Sequence, residues 1–308
     1  MQKIRKITME NPTGTVYVMV KEAVQKETKN GKPFMFLTIT DGETDIQAKI
    51  WDSTKESFGR GIGAVLSVDL LMDSYGYTIK CYREATEDEA PITQFIPSPP
   101  VRPDILYMKM VNRIEDIKVK ELRDLVLTLY ENNKRALITS SAAKSMHHNM
   151  VGGLLWHQYR MMKAADALAE VYTSIDKDLV VAGCLLHDIG KLYELETDKF
   201  GNADYTTDGN LMGHLYIGAK MVDETAVKLN TPVEISRILQ HIILSHHGQL
   251  EMGAVVMPSC MEAYIVSELD MLDAKQFMFE KAYKEQEPGT FGDKNWGLGN
   301  VKIYYPNL

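Results

Sequence analysis

Several things are scarce in this 308-residue chain, and each scarcity excludes something. Cysteine is one: Cys81, Cys184 and Cys260 lie far apart, are odd in number and form no C-x-x-C pair. That argues against a disulfide framework or a zinc knuckle and fits reduced thiols in a cytoplasmic protein. Positive charge is another, with a net charge of −8 and a pI near 5.6. A whole-protein field that gathers nucleic acid is therefore absent, which weighs against a passive DNA-coating role. It does not weigh against an enzyme that threads one strand into a metal site, because bound cations bring local positive charge. Long apolar runs are missing too. None reaches the roughly 20 residues that span a bilayer, and the opening MQKIRKITMENPTG has no signal-peptide core. The expected protein is cytoplasmic, with no membrane partner. Histidine is absent from the first 146 and the last 61 residues; all eight lie between His147 and His247.

What is present suffices for two domains, with 45% hydrophobic and 25% charged residues. The first part reads as β. Thr15 to Glu22, Pro33 to Thr40 and Asp45 to Trp51 alternate, with a hairpin signal at Asp41-Gly42-Glu43-Thr44; Ala64 to Met72 and Tyr75 to Tyr82 make a second pair. Five strands, with a short polar stretch (Ser53 to Phe58) between the third and fourth, suggest a small barrel of the OB-fold type. Residues 86–104 are acidic and then proline-rich, which excludes a regular helix and suggests a semi-rigid linker. From Ile105 the pattern turns helical, over Ile105 to Glu131, Val151 to Tyr172, Asp178 to Leu186, Leu211 to Leu229, Val233 to Leu244 and Ser259 to Tyr283. Thr231 can cap a helix with Pro232 at its first position. The expected layout is an OB-fold barrel over 1–88, a linker over 89–104, an all-α domain over 105–287, and a glycine-rich tail over 288–308. The tail's apolar end could be an edge strand or could pack back on the chain.

The histidines sit within or beside apolar helical faces. His157 is mid-helix. His187-Asp188 ends an apolar helix, and Gly190 is expected to close it. His214 lies near a helix start, His246-His247 ends another helix, and Asp270 is inside the helix that starts near Pro258. One buried polar residue of this kind is usually satisfied by a hydrogen bond in the core. Six or seven across five helices are hard to satisfy separately, because a buried unpaired aspartate costs several kcal/mol. A metal centre satisfies them together. Imidazole and carboxylate ligands suit Mn, Fe, Ni, Co or Zn, or a mixture with Mg. Adjacent His187 and Asp188 can both reach one cation, and the second oxygen of Asp188 is free to bridge to another.

The order H…HD…H…H(H)…D, with His187-Asp188-Ile189-Gly190-Lys191 at its centre, resembles the HD domain superfamily of phosphohydrolases. Taken end to end, the chain resembles the YhaM family of bacterial 3′→5′ exoribonucleases, which place an OB-fold before an HD domain. The matching phrases are Asn30-Gly31-Lys32-Pro33-Phe34, Ala48-Lys49-Ile50-Trp51-Asp52, His147-His148, Gly153-Leu154, His157 and His187 to Lys191. The resemblance implies that His157, His187, Asp188 and Asp270 form the shared four-ligand set. His214 and one or both of His246 and His247 match the extra ligands of two-metal members, with Asp188 bridging. It also implies a catalytic role for Asp188, manganese as the preferred ion, and ribonuclease direction.

Lys191 either neutralises charge on the transferring phosphoryl group or is a solvated lysine near a helix end. His147-His148 either lines the cleft or caps the helix carrying His157. His241, off the face of His246, reads as structural, and Trp156 as core. Asp273 and Glu268 flank Asp270; Asp273 could support a ligand histidine, but surface solvation is the expectation. In the barrel, Met35, Leu37 and Ile39 share one face with Ile46, Ala48 and Ile50. The opposite face presents Phe34, Phe36, Lys49 and Trp51, a stacking surface for single-stranded RNA or DNA, or else a surface for packing on the helical domain or a partner subunit. Acidic and basic side chains nearly balance over the first ninety residues and do not decide it. The leading expectation is a 3′→5′ exonuclease. The alternatives are a nucleotide or cyclic-dinucleotide phosphohydrolase, a single-strand-binding module with a non-catalytic HD domain, and an iron oxygenase on the same scaffold. Oligomeric state stays open, a homo-oligomer included.

Overall fold

A computed structural model describes residues 2–96, 98–141, 150–198, 203–284 and 286–308. The chain divides into two units, Met1–Pro97 and Ser98–Leu308.

The first unit is a closed five-stranded barrel: β1 (Thr13–Glu27), β2 (Pro33–Thr40), β3 (Asp45–Trp51), β4 (Val65–Asp73) and β5 (Gly76–Glu84), in the order β1-β2-β3-β5-β4. This is the layout expected of an OB-fold. Strand β1 is long enough to pair with both β2 and β4, and a register shift between Val20 and Glu22 bends it round the corner. A short helix α1 (Lys55–Phe58) sits between β3 and β4. It is started by a capping box between Thr54 and Ser57 and stopped by Gly59 in the left-handed region. Period-2 alternation sends Met35, Leu37, Ile39, Ala48 and Ile50 inward with Val16, Val18, Leu66, Val68, Leu70 and Ile79. The stretch expected to be a linker is partly structured. Ala90 and Phe95 are buried and Ile92–Gln94 forms a 3₁₀ turn, so its acidic first half belongs to the barrel unit.

The second unit is helical: α2 (Pro103–Glu115), α3 (Lys120–Asn132), α4 (Lys134–Thr139), α5 (Gly153–Val171), α6 (Lys177–Leu186) and α7 (Lys191–Glu194), then a hairpin of β6 (Leu195–Thr197) and β7 (Ala203–Tyr205). It continues with α8 (Thr207–Leu229), α9 (Val233–Ser245) and α10 (Met261–Lys284), and ends in a second hairpin, β8 (Phe291–Asn295) and β9 (Val301–Tyr304). The apolar run from Ile105 to Glu131 is two helices. The chain turns after Glu115, yet Ile117 stays buried, so the apolar spacing carries through the break. Pro232, rather than Thr231, is the cap residue of α9. Leu125, Leu154, Leu185, Ile189, Ile242 and Val266 belong to one core that joins the helices. No helix among the described residues is long and apolar enough to cross a membrane.

Candidate metal centre and barrel face

Four histidines are fixed by two different devices. Helix C-termini leave carbonyls without partners. His187 caps the end of α6, and its Nδ1–H donates to Cys184 O at 3.0 Å; His246 caps the end of α9, and its Nδ1–H donates to Ile243 O at 2.8 Å. His157 is inside α5, where carbonyls are consumed by the helix. Its Nδ1 instead faces Asp273 Oδ2 at 2.7 Å. His214 follows Gly213, whose φ of 71° and ψ of 157° break α8; this region is open essentially to glycine alone. At the restart, both the backbone N–H and Nδ1–H of His214 donate to Glu194 Oε1, at 3.0 and 2.9 Å. With each Nδ1 engaged, Nε2 is left as the ligand nitrogen.

The Nε2 atoms converge with carboxylate oxygens in two lobes. In the first, His157 Nε2 lies 3.2 Å from His187 Nε2 and 3.2 Å from Asp270 Oδ1, and His187 Nε2 lies 3.3 Å from Asp188 Oδ2. In the second, Asp188 Oδ1 lies 3.5 Å from His214 Nε2 and 3.6 Å from His246 Nε2, and the His247 ring is 4.5 Å from that of His246. Asp188 turns one oxygen to each lobe. Ligand atoms bound to one cation at about 2.1 Å stand roughly 3 to 3.4 Å apart, close to these separations. Asp188 Oδ1, His214 Nε2 and His247 Nδ1 are buried with no hydrogen-bond partner among the described residues. In a protein interior that is costly, and a divalent cation resolves it. His157, His187 and Asp270 form one group that could hold a metal ion, and His214, His246 and His247 another. His187, Asp188 and His246 make a third, between them. The residues fit the group the sequence implied.

The charges agree. Burial would raise the Asp188 carboxyl, but Lys191 and the imidazoles outweigh it and hold the group well below the usual carboxylate range. Asp270 is lowered in the same way, by His157 and His187 against burial. Burial also works against a charged His157, yet Asp270 and Asp273 outweigh it and push the imidazole up to about 9. His246 goes the other way, to about 4, with burial as the main cause.

The expectations around the centre fare unevenly. Lys191 is not a solvated lysine: it is mostly buried and its Nζ contacts Asp188 Oδ2 at 2.7 Å. Gly190 does not close α6 in a left-handed turn; its φ is −63°. Its role is close approach, since a Cβ there would meet His214 O at 2.1 Å and Gly218 N at 2.7 Å. The missing side chain lets α8 bring His214 onto the His187-Asp188 segment. Asp273 is not on the surface. It is buried, holds His157, and is itself gripped by Arg160 at 2.7 Å. A carboxylate one turn after Asp270 on the same helix was the available signal. Glu194, by contrast, stands twenty residues from the His214 it holds, and no sequence spacing links the two. His241 accepts from Ser259 N–H, Glu268 is exposed, and Trp156 packs on Tyr159. His147 and His148 lie outside the described residues.

On the barrel, Phe34 and Trp51 are cross-strand neighbours with ring centroids 5.1 Å apart, and Phe36 pairs with Lys49. Lys49 Nζ lies 5.4 Å from the Trp51 ring, and Lys26 Nζ, a further cation of this face, sits 3.9 Å over Phe36. Trp51 is exposed.

Histidines and aspartates carried by α5, α8, α10 and the C-terminal ends of α6 and α9 converge around one shared carboxylate, the arrangement of a metal centre. Residues 154–275 match the family described as HD domain, a span that contains the whole constellation and the supporting Asp273 and Glu194. The chain is an enzyme of the metal-dependent phosphohydrolase class, with the five-stranded barrel ahead of its HD domain.

Proposed function

We propose that the protein is a 3′→5′ exoribonuclease that releases nucleoside 5′-monophosphates from single-stranded RNA, takes single-stranded DNA as a second polymer, and works with two manganese ions. One observation carries the polymer reading: a chain with a two-lobed phosphohydrolase centre also carries a part-exposed aromatic face with cations on its barrel, Trp51 being its exposed member. Bases stack on such faces for about 1–3 kcal/mol each, with little regard to sequence. Divalent ions, when bound, supply Lewis acidity toward the phosphoryl oxygens and a water activated for attack. His157, His187, Asp188 and Asp270 would hold one ion, and His214, His246 and His247 with Asp188 the other. Lys191, already at 2.7 Å from Asp188, is placed to neutralise charge on the phosphoryl group. Water adds to phosphorus, the bond from phosphorus to the 3′ oxygen breaks, and that oxygen takes a proton. The products are a nucleoside 5′-monophosphate and a strand one residue shorter.

The test is time-resolved digestion of a 5′-labelled RNA in Mn²⁺ beside the Asp188→Ala variant. Shortening by single nucleotides that is lost in the variant is the expected result. Turnover confined to mono- and dinucleotides would instead make the protein a small-molecule phosphohydrolase. Tight strand binding without turnover, unchanged by His187→Ala, would make it a binding module.

A further inference from the structure

We infer that Glu194 is the positioning residue of the second metal lobe, and that it sets whether the centre holds two ions or one. The inference rests on the two-ion reading above.

The reasoning starts from what each imidazole has within reach. His187 and His246 close helices, so an unpaired carbonyl of their own helix fixes each ring. His214 begins a helix segment, and a helix start offers free N–H groups and no free carbonyls. Its ring therefore needs an acceptor from elsewhere in the chain. Glu194 Oε1 is that acceptor, and the same oxygen also takes the His214 backbone N–H. One atom thus fixes both the segment and the ring. Gly213 serves through its backbone rather than by making room: its φ of 71° sets the break, while a Cβ there would stand 4.0 Å from Glu194 Oε1, no nearer than ordinary contact.

Glu194 is itself held. Its N–H donates to Gly190 O at 3.0 Å, its carbonyl accepts from Thr206 N–H at 2.9 Å, and the residue is 7% exposed. A carboxylate fixed this way also makes its imidazole a stronger ligand. The first lobe has its own support in Asp273 and Arg160, so loss of Glu194 strikes the second lobe selectively.

The test is Mn²⁺ titration of the full chain by calorimetry, with metal content after dialysis and the electron paramagnetic resonance spectrum of the loaded protein. Wild type is expected to take two ions with a spin-coupled spectrum. Glu194→Ala is expected to weaken the second ion about 10- to 100-fold, leave the first unchanged, and convert the spectrum to that of isolated Mn²⁺. Glu194→Gln keeps an acceptor oxygen for the backbone N–H and is the variant to rely on if the alanine form does not fold. It is expected to weaken the second ion by less than alanine does, with the first again unchanged. Asp273→Asn is expected to weaken the first ion instead. Two ions at wild-type affinity in the Glu194 variants, or equal loss of both, overturns the inference alone. A single ion in wild type overturns the two-ion reading and the inference with it.

Discussion

The two units handle buried polar groups in opposite ways. In the barrel, each is satisfied by a neighbour. Asp41 accepts from Ile4, Glu43 and Thr44 N–H, Ser53 pairs with Ser57, and Thr78 accepts from Trp51. In the helical unit, the centre leaves part of its polar set open. Each Nδ1 of His157, His187, His214 and His246 has a partner, while Asp188 Oδ1 and His214 Nε2 face inward with none among the described residues. A satisfied polar group stabilises a fold. A set left open toward one point describes a ligand, and here the ligand is a cation.

The comparison can be broken or sharpened in four ways. Asp188→Ala should lower hydrolysis of a simple phosphodiester such as bis(p-nitrophenyl) phosphate on the order of a thousandfold or more, because it removes the carboxylate common to both lobes. Trp51→Ala should leave that rate alone. Gly190→Ala should cost about 2–3 kcal/mol or more, read by thermal or urea unfolding, since its Cβ meets backbone. Gly61→Ala, with nothing within 4 Å in the barrel, should change stability by less than about 0.5 kcal/mol.

Mn²⁺ affinity should rise with pH up to about pH 9 and level off above it. The sign follows from His157, whose imidazole carries a proton below about 9 that an ion must displace. His246, lowered to about 4, is already neutral and gives up none. Calorimetry in buffers of different ionisation enthalpy reads the proton released. A modest effect belongs to the aromatic face of the barrel: Trp51→Ala should weaken single-strand RNA binding by roughly 1 kcal/mol, about fivefold, measured by fluorescence anisotropy.

Much of this was legible in the sequence, for physical reasons. Strand alternation has a period of two that burial enforces, so β2 and β3 fall on the expected residues. His187-Asp188 was legible because a charged residue at the end of an apolar helix contradicts its surroundings. Three-dimensional approach was not. Gly190 reads as a helix stop because glycine so often is one, and only the packing of α8 on its backbone shows that its bareness is the point. The break between α2 and α3 was hidden because Ile117 keeps the apolar rhythm through the turn. Glu194 was invisible because it reaches His214 across a hairpin that no periodicity announces.

The most direct measurement of the central claim is phosphodiester hydrolysis by wild-type protein stripped of metal with a chelator and then resupplied with Mn²⁺. The account predicts that turnover of bis(p-nitrophenyl) phosphate disappears on stripping and returns as the ion is added. Turnover that persists in the stripped protein, with its metal content shown to be negligible, would contradict it.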